Sequence, residues 1–296
     1  MTPGLERIMK PEDFDSYWQQ VEQELACVAQ APECTEMPLR STPEGKVFGL
    51  RLTSLGGYRI FAYYCVPHGK GPFPVIYRLP NYGSVVHIPP FEERCKHIAI
   101  ALCHRGQRLS DQPFAASYPG LLTKGIESPH TYIYRENAAD CLRVIDFLLT
   151  REEVDQGRIS LVGGDLALWT AAMCPQVAAL YYAPSLFYKC LLKASATINY
   201  PLEEFNDHLR AFPQSQGQLA KTLDYFEPMN FASRVGMSTM MMEESERDGD
   251  DLAKAFDREI ERCTSFHSSF RDGVRQAQWL AEKLETGEPV LPAHWS

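Results

Sequence analysis

The chain has 296 residues, 45% hydrophobic and 23% charged, which is ordinary for a globular protein and long enough to bury a substantial core. Its formal net charge of -9 argues against non-specific binding to nucleic acid or to an anionic membrane, since both need a basic face. No apolar run approaches the roughly 18 residues of a membrane span. The stretch from Met1 to Arg7 lacks a hydrophobic signal core, and the nine cysteines form no Cys-x-x-Cys pair or zinc-spaced cluster. The expectation is a reduced, cytoplasmic protein with no metal or other cofactor.

Taken in order, residues 11–30 begin with Pro11 and acids and then place Phe14, Trp18, Val21 and Leu25 at helical spacing. A connection rich in proline (Pro32, Pro38, Pro43) follows. Val47 to Thr53 and Tyr58 to Val66, separated by a Gly-Gly turn, predict an antiparallel hairpin. The apolar runs Phe73 to Leu79 and His97 to Cys103 suit strands covered on both faces. Residues 105–130 form a polar excursion, long for a simple connection and therefore expected to be functional or interfacial. Tyr134 to Thr150 is patterned as an amphipathic helix.

Val177 to Tyr182 predicts a further strand, and residues 185–235 carry helical signals broken by Pro201 and Pro213, the pattern of a helical cap inserted into a sheet domain. Met237 to Met242 predicts a strand and Glu243 to Asp251 an acidic loop. Asp251 to Glu261 predicts a helix, Arg262 to Phe266 a short strand, and Phe270 to Leu284 a closing helix. Alternating strands and helices imply one α/β domain over 1–296, with a mostly parallel, doubly wound sheet, an N-terminal antiparallel hairpin and the cap insertion.

The stretch around which this organises is Ile159 to Cys174. Ile159 to Val162 reads as a buried strand, Gly163 and Gly164 break it, and Leu166 to Cys174 reads as a helix stopped by Pro175. A strand, a sharp turn and a helix is the layout of a nucleophile elbow, and Gly163 and Ala167 are the small residues such a turn requires on either side of Asp165. The reactive position therefore carries a carboxylate where a serine is usual. The plain alternative is an aspartate capping a helix N-terminus. Asp248, on the loop after the 237–242 strand, and His267, after the 262–266 strand, complete the order nucleophile, acid, histidine. Asp250, Asp251 and Glu246 are rival acids. Ser160 lies inside its strand and reads as core, and Trp169 and Leu186 either narrow a pocket or simply pack.

Pro11-Glu-Asp-Phe-Asp-Ser-Tyr-Trp18, Asn81-Tyr-Gly83, Arg105-Gly-Gln107, Gly120 to Ile126, Tyr132 to Arg135 and Thr222 to Asn230 occur in an order that resembles the acetyl xylan esterase and cephalosporin C deacetylase family, carbohydrate esterase family seven, over nearly the whole chain. The resemblance implies an α/β-hydrolase fold, deacetylation of small sugars or cephalosporins, and ring-shaped homo-oligomers. It implies catalytic roles for Asp165, Asp248 and His267, backbone oxyanion donors at Tyr82 and Leu166, and a pocket flanked by Asn81, Pro184 and Leu186. The match departs from the family at Pro80-Asn81, where the family has His-Gly, and at Asp165.

A carboxylate attacking an acetyl carbonyl would form a mixed anhydride while expelling a more basic alkoxide, which is uphill. Three readings follow: a hydrolase of small esters with Asp165 as nucleophile or general base, a hydrolase attacking saturated carbon in a halide or epoxide, and a homologue that has lost catalysis and serves in binding or as a scaffold.

Overall fold

A computed structural model of the chain describes residues 9–245 and 249–295. Among these residues one sheet of nine strands runs in the order β1-β2-β3-β5-β4-β6-β7-β8-β9. Its members are β1 (Glu33–Glu36), β2 (Gly45–Thr53), β3 (Arg59–Pro67), β4 (Phe73–Arg78), β5 (Ile98–Cys103), β6 (Val154–Gly163), β7 (Ala179–Tyr182), β8 (Ser238–Glu243) and β9 (Glu261–Thr264). From β1 to β5 neighbours are antiparallel, with Val47 opposite Cys65 and Tyr63 opposite Ala101. From β5 through β4, β6, β7, β8 and β9 every pair is parallel.

The parallel half is covered on both faces, so its strands need apolar residues in both directions. All six residues of β5 are buried, which accounts for its unbroken hydrophobic run. The helices are α1 (Phe14–Ala26), α2 (Phe91–Arg94), α3 (Ile133–Leu148), α4 (Asp165–Met173), α5 (Cys190–Ser195), α6 (Glu203–Ala211), α7 (Gln216–Asp224), α8 (Met229–Ala232), α9 (Asp250–Lys254) and α10 (Ser269–Lys283). Helices α5 to α8 all lie between β7 and β8, in the segment where the sequence predicts a helical insertion.

Helix α1 buries Phe14, Tyr17, Trp18, Val21 and Leu25, one stripe at three- and four-residue spacing. That stripe meets α4 and α8 through an aromatic cluster: Trp18 lies against Phe226 and Phe231, and Trp169 stacks on Phe231 at 5.7 Å. Trp169 is therefore core packing, fully buried. Helix α4 is apolar all round because it runs through this core, with Asp165 to Ala171 all buried. The nine cysteines are free, and Cys65, Cys103 and Cys174 are buried as small core residues.

Two elements differ from expectation. The Pro-rich connection contains β1, an edge strand whose four side chains are all exposed, so it carries no hydrophobic alternation to reveal it. The helix expected over 251–261 stops at Lys254, because Asp257, Arg258 and Glu259 stand where an apolar face would have to continue. No helix among the described residues is long and apolar enough to cross a membrane.

Candidate active site

The turn between β6 and α4 has little room. A Cβ built on Gly163 would lie 3.1 Å from the Cβ of Leu79 and 3.3 Å from that of Ala167, and one on Gly164 would lie 2.5 Å from the Ser185 hydroxyl. Glycine at 164 is thus a packing requirement, and at 163 a side chain would fit only if Leu79 or Ala167 shifted by a few tenths of an ångström. Asp165 itself nonetheless avoids the left-handed region of the backbone. The non-glycine residues with positive φ are, among those described, Ala31, Leu109, Lys189, His267 and Glu285, and Asp165 is not one of them. Asp165 enters the helix in ordinary geometry, without the strain that a nucleophile elbow holds at its tip.

The Asp165 carboxylate points into the protein. Its Oδ1 accepts from the Tyr182 hydroxyl at 3.0 Å and the Ser185 amide at 3.4 Å. Its Oδ2 accepts from the Ser185 hydroxyl at 2.9 Å, the Leu186 amide at 2.7 Å and the Phe187 amide at 2.9 Å. Two hydroxyls and three amides saturate a side chain that is 3% exposed. The carboxylate ties the segment after β7 to the head of α4. Tyr182 is buried beside it, and its phenol is pushed far above the usual range, first by burial and then by the Asp165 charge.

His267 lies elsewhere. It is exposed, at φ +51°, and its Nδ1 sits 3.5 Å from Glu244 Oε2. Among the described residues no hydrogen bond joins it to Asp165. Asp248, the expected acid, lies outside the described residues, as does Glu246. The rivals Asp250 and Asp251 pair with Arg262 at 2.7 Å and with Lys189 at 2.6 Å.

Tyr82 and Asn81 are positioned by Gln107, whose Nε2 donates to Asn81 O at 3.0 Å and to Gly83 O at 2.7 Å. The Asn81-Tyr-Gly and Arg105-Gly-Gln motifs are therefore two halves of one loop contact. The Tyr82 hydroxyl donates to Glu204 on α6, and Glu204 also accepts from the Leu122 amide at 2.8 Å. One buried carboxylate thereby fastens the loop after β4, the 105–130 excursion and the insertion. Arg105 is buried against Asp140 at 2.7 Å and Glu136 at 3.0 Å, which makes it a structural anchor. Ser160 donates to Val75 O at 2.8 Å and is core.

Two cavities meet the turn. A small one of about 20 Å³ lies between Asp165, Leu166, Leu186, Tyr82, His104 and Tyr134, enough for about one water. His104 is held neutral there: burial drives its pKa down to about 4, and Nδ1 lies 2.8 Å from Arg105 O. The other is an open groove of about 850 Å³ across the carboxyl ends of the parallel strands, where ligands of open α/β sheets bind. Asn81, Tyr82, Pro184, Ser185, His87 and Glu244 are among its walls. Asn81, Pro184 and Leu186, expected at a pocket, thus all border one of the two cavities.

The sequence reading missed Ser185, Tyr182 and Glu204, since a hydroxyl or acid at a strand end or in an insertion signals nothing until the chain closes over it. Among the described residues no cluster of three or more His, Cys, Asp or Glu could hold a metal ion.

A family model described as acetyl xylan esterase matches residues 5–246. Among curated proteins, the acetyl esterase Axe7A of Xylanibacter ruminicola is 24% identical over 242 residues, which is 76% of this chain and 54% of that protein. The chain thus spans about half the length of that relative. An acetyl xylan esterase from Paenibacillus sp. R4 superposes with a TM-score of 0.81 at 22% identity, covering 93% of this chain and 96% of that one. Acetyl xylan esterase 1 from Thermoanaerobacterium sp. JW/SL YS485 gives 0.81 at 20% identity, covering 94% and 95%. The fold is the α/β-hydrolase fold of these structures.

Proposed function

The chain belongs to the acetyl xylan esterase family of hydrolases, and we propose that within it this member binds a small ester or sugar-like ligand in the groove at the carboxyl ends of the strands, with Asp165 serving as a structural clamp rather than a nucleophile. The observation that carries this reading is the saturation of the Asp165 carboxylate by five donors. Each bond stabilises the charged, unreacting carboxylate, and all would weaken as charge left it for an acyl or alkyl bond. The same argument weighs against attack on saturated carbon.

The test is hydrolysis of p-nitrophenyl acetate by wild type, Asp165→Asn and His267→Ala, beside calorimetric titration of wild type with an acetylated xylose. We expect saturable binding, with nitrophenol release at the buffer rate in all three proteins. Saturable turnover that disappears in Asp165→Asn would overturn the clamp reading. The His267→Ala control is safe for the fold, because its side chain is exposed.

A second reading rests on the Glu244–His267 pair, since Glu244 lines the groove. His267 would activate a water for direct ester hydrolysis, with Glu244 or Asp248 orienting its ring and the amides of Tyr82 and Leu166 receiving the oxyanion. Activity lost in His267→Ala and Glu244→Gln but retained in Asp165→Asn would favour it. Assembly into a homo-oligomer belongs with these proposals, and light scattering on the purified chain tests it.

A further inference from the structure

Beside the large groove lies a second hollow of about 430 Å³, lined by Arg40, Tyr63, Val85, Val86, His87, Ile88, Arg108 and Leu109. The two are adjacent and share one wall, because Val85, Val86, His87 and Ile88 line both. No carboxylate is among the walls of the second. This is unusual in a chain with 38 acidic side chains against 29 lysines and arginines. Several of its other arginines hold acids: Arg78 with Glu93, Arg135 with Glu24, Arg158 with Asp155 and Arg262 with Glu243. Among the described residues, Arg40 and Arg108 have no ion-pair partner, and both are exposed.

Both guanidiniums act on one phenol. Burial raises the Tyr63 pKa, the Cys103 thiol adds to that, and Arg40 and Arg108 oppose it. Arg40 stands on the turn before β2 and Arg108 on the excursion after β5, so two separate segments bring positive charge to one hollow. The Arg108 turn is fixed: its amide donates to Ser84 O at 2.8 Å, and the next residue, Leu109, is held at φ +77°.

On the groove-binding reading above, we infer that Arg40 and Arg108 form an anion-binding arm of the groove, and that the ligand is a small molecule carrying an oxyanion, carboxylate or phosphate, at the end opposite its contact with the Asp165 turn. Two guanidinium forks suit either oxyanion by bidentate hydrogen bonding, while the apolar wall of Val85 and Ile88 accepts the uncharged body. His87 lines the same rim.

The experiment titrates the protein by calorimetry with glucose, glucuronate and glucose 6-phosphate, three probes that differ only at carbon six, in low and moderate salt. Wild type and the double variant Arg40→Gln, Arg108→Gln are compared. Among the described residues neither side chain makes a hydrogen bond, so the variant should keep its fold, and an unchanged melting temperature verifies that. We expect at least one of the anionic probes to bind ten-fold or more tighter than glucose, the gap to shrink with salt, and the double variant to bind all three alike. Whichever of glucuronate and glucose 6-phosphate binds tighter identifies carboxylate or phosphate as the natural charge. Equal affinity of wild type for all three overturns this inference and leaves the groove reading intact, as does a preference that survives in the double variant. Absence of saturable binding by any probe overturns this inference too, and the acetylated-xylose titration then decides the groove reading separately.

Discussion

At the scale of single residues, the decisive feature is the orientation of one carboxylate. Asp165 stands where the family resemblance leads a reader to look for a nucleophile, yet Tyr182, Ser185, Leu186 and Phe187 draw it inward. Replacing it by alanine leaves two hydroxyls and three amides to find new partners in a closed space. We expect a loss of about 3–5 kcal/mol, read as a lower midpoint in urea unfolding, because unpaired buried polar groups carry their full desolvation penalty. A loss under about 1 kcal/mol would show that the clamp does not hold the loop. Asp165→Ser tests chemistry at the same position. Serine is too short to reach all five donors, so we expect reduced stability and no burst of nitrophenol from p-nitrophenyl acetate, since His267 pairs with Glu244 at the exposed rim. The sequence placed Asp165 at the turn correctly, but it could not give the direction of its side chain, which depends on donors 17 to 22 residues further on.

At the scale of elements, buried charges act as rivets between segments that are distant in the chain. Arg105 and Asp140 are 3% and 0% exposed and join the excursion to α3. Arg105→Ala would leave Asp140 charged and without its guanidinium, and we expect about 3–5 kcal/mol of destabilisation in denaturant unfolding. The turn before α4 offers a steric test. Gly164→Ala would press a methyl group onto Ser185, at 2.5 Å from its hydroxyl and 3.1 Å from its Cβ. We expect a cost of about 1–3 kcal/mol, and a smaller one when Ser185→Gly is present, measured as a double-mutant cycle. Additive effects would mean that the two do not share that space. These elements were legible in the sequence wherever an apolar stripe or run exists, as in α1 and β5. Strand β1 was not, because an exposed edge pairs through its backbone alone.

At the scale of the whole molecule, stability should depend on pH through a few buried groups. Glu227 lies behind the Asp165 clamp and accepts from the Lys189 amide at 3.0 Å. Burial chiefly, with a contribution from the Asp165 charge, raises its pKa to about 8, and Asp224 is raised to about 6 by burial. A carboxyl with a raised folded pKa binds its proton more tightly when folded. Its contribution is thus fully present below its unfolded pKa and is lost as pH climbs through the folded value. His104 has the opposite sign, since its pKa falls to about 4 and its contribution grows as pH rises toward 6.5. Urea midpoints should therefore decline between about pH 6.5 and 8, with a slope of at most about 1.4 kcal/mol per pH unit from Glu227. In Glu227→Gln the decline should flatten, and an unchanged slope would assign it to another group.

The amino-acid sequence by itself determined the layer architecture, the mostly parallel sheet and the place of the strand–turn–helix at Asp165, because periodicity, glycine breaks and apolar runs are local signals. The family followed from motifs that keep their order along the chain. What only the tertiary structure decided is which side chains meet. Gln107 clamps the Asn81 loop, Glu204 joins three segments, two arginines from separate turns face one hollow, and Asp165 turns toward the β7 loop rather than toward His267. Such meetings depend on long-range closure and on the burial of particular donors. A carboxylate follows the nearest set of unsatisfied N–H and O–H groups, and the position of those groups is a property of the folded chain.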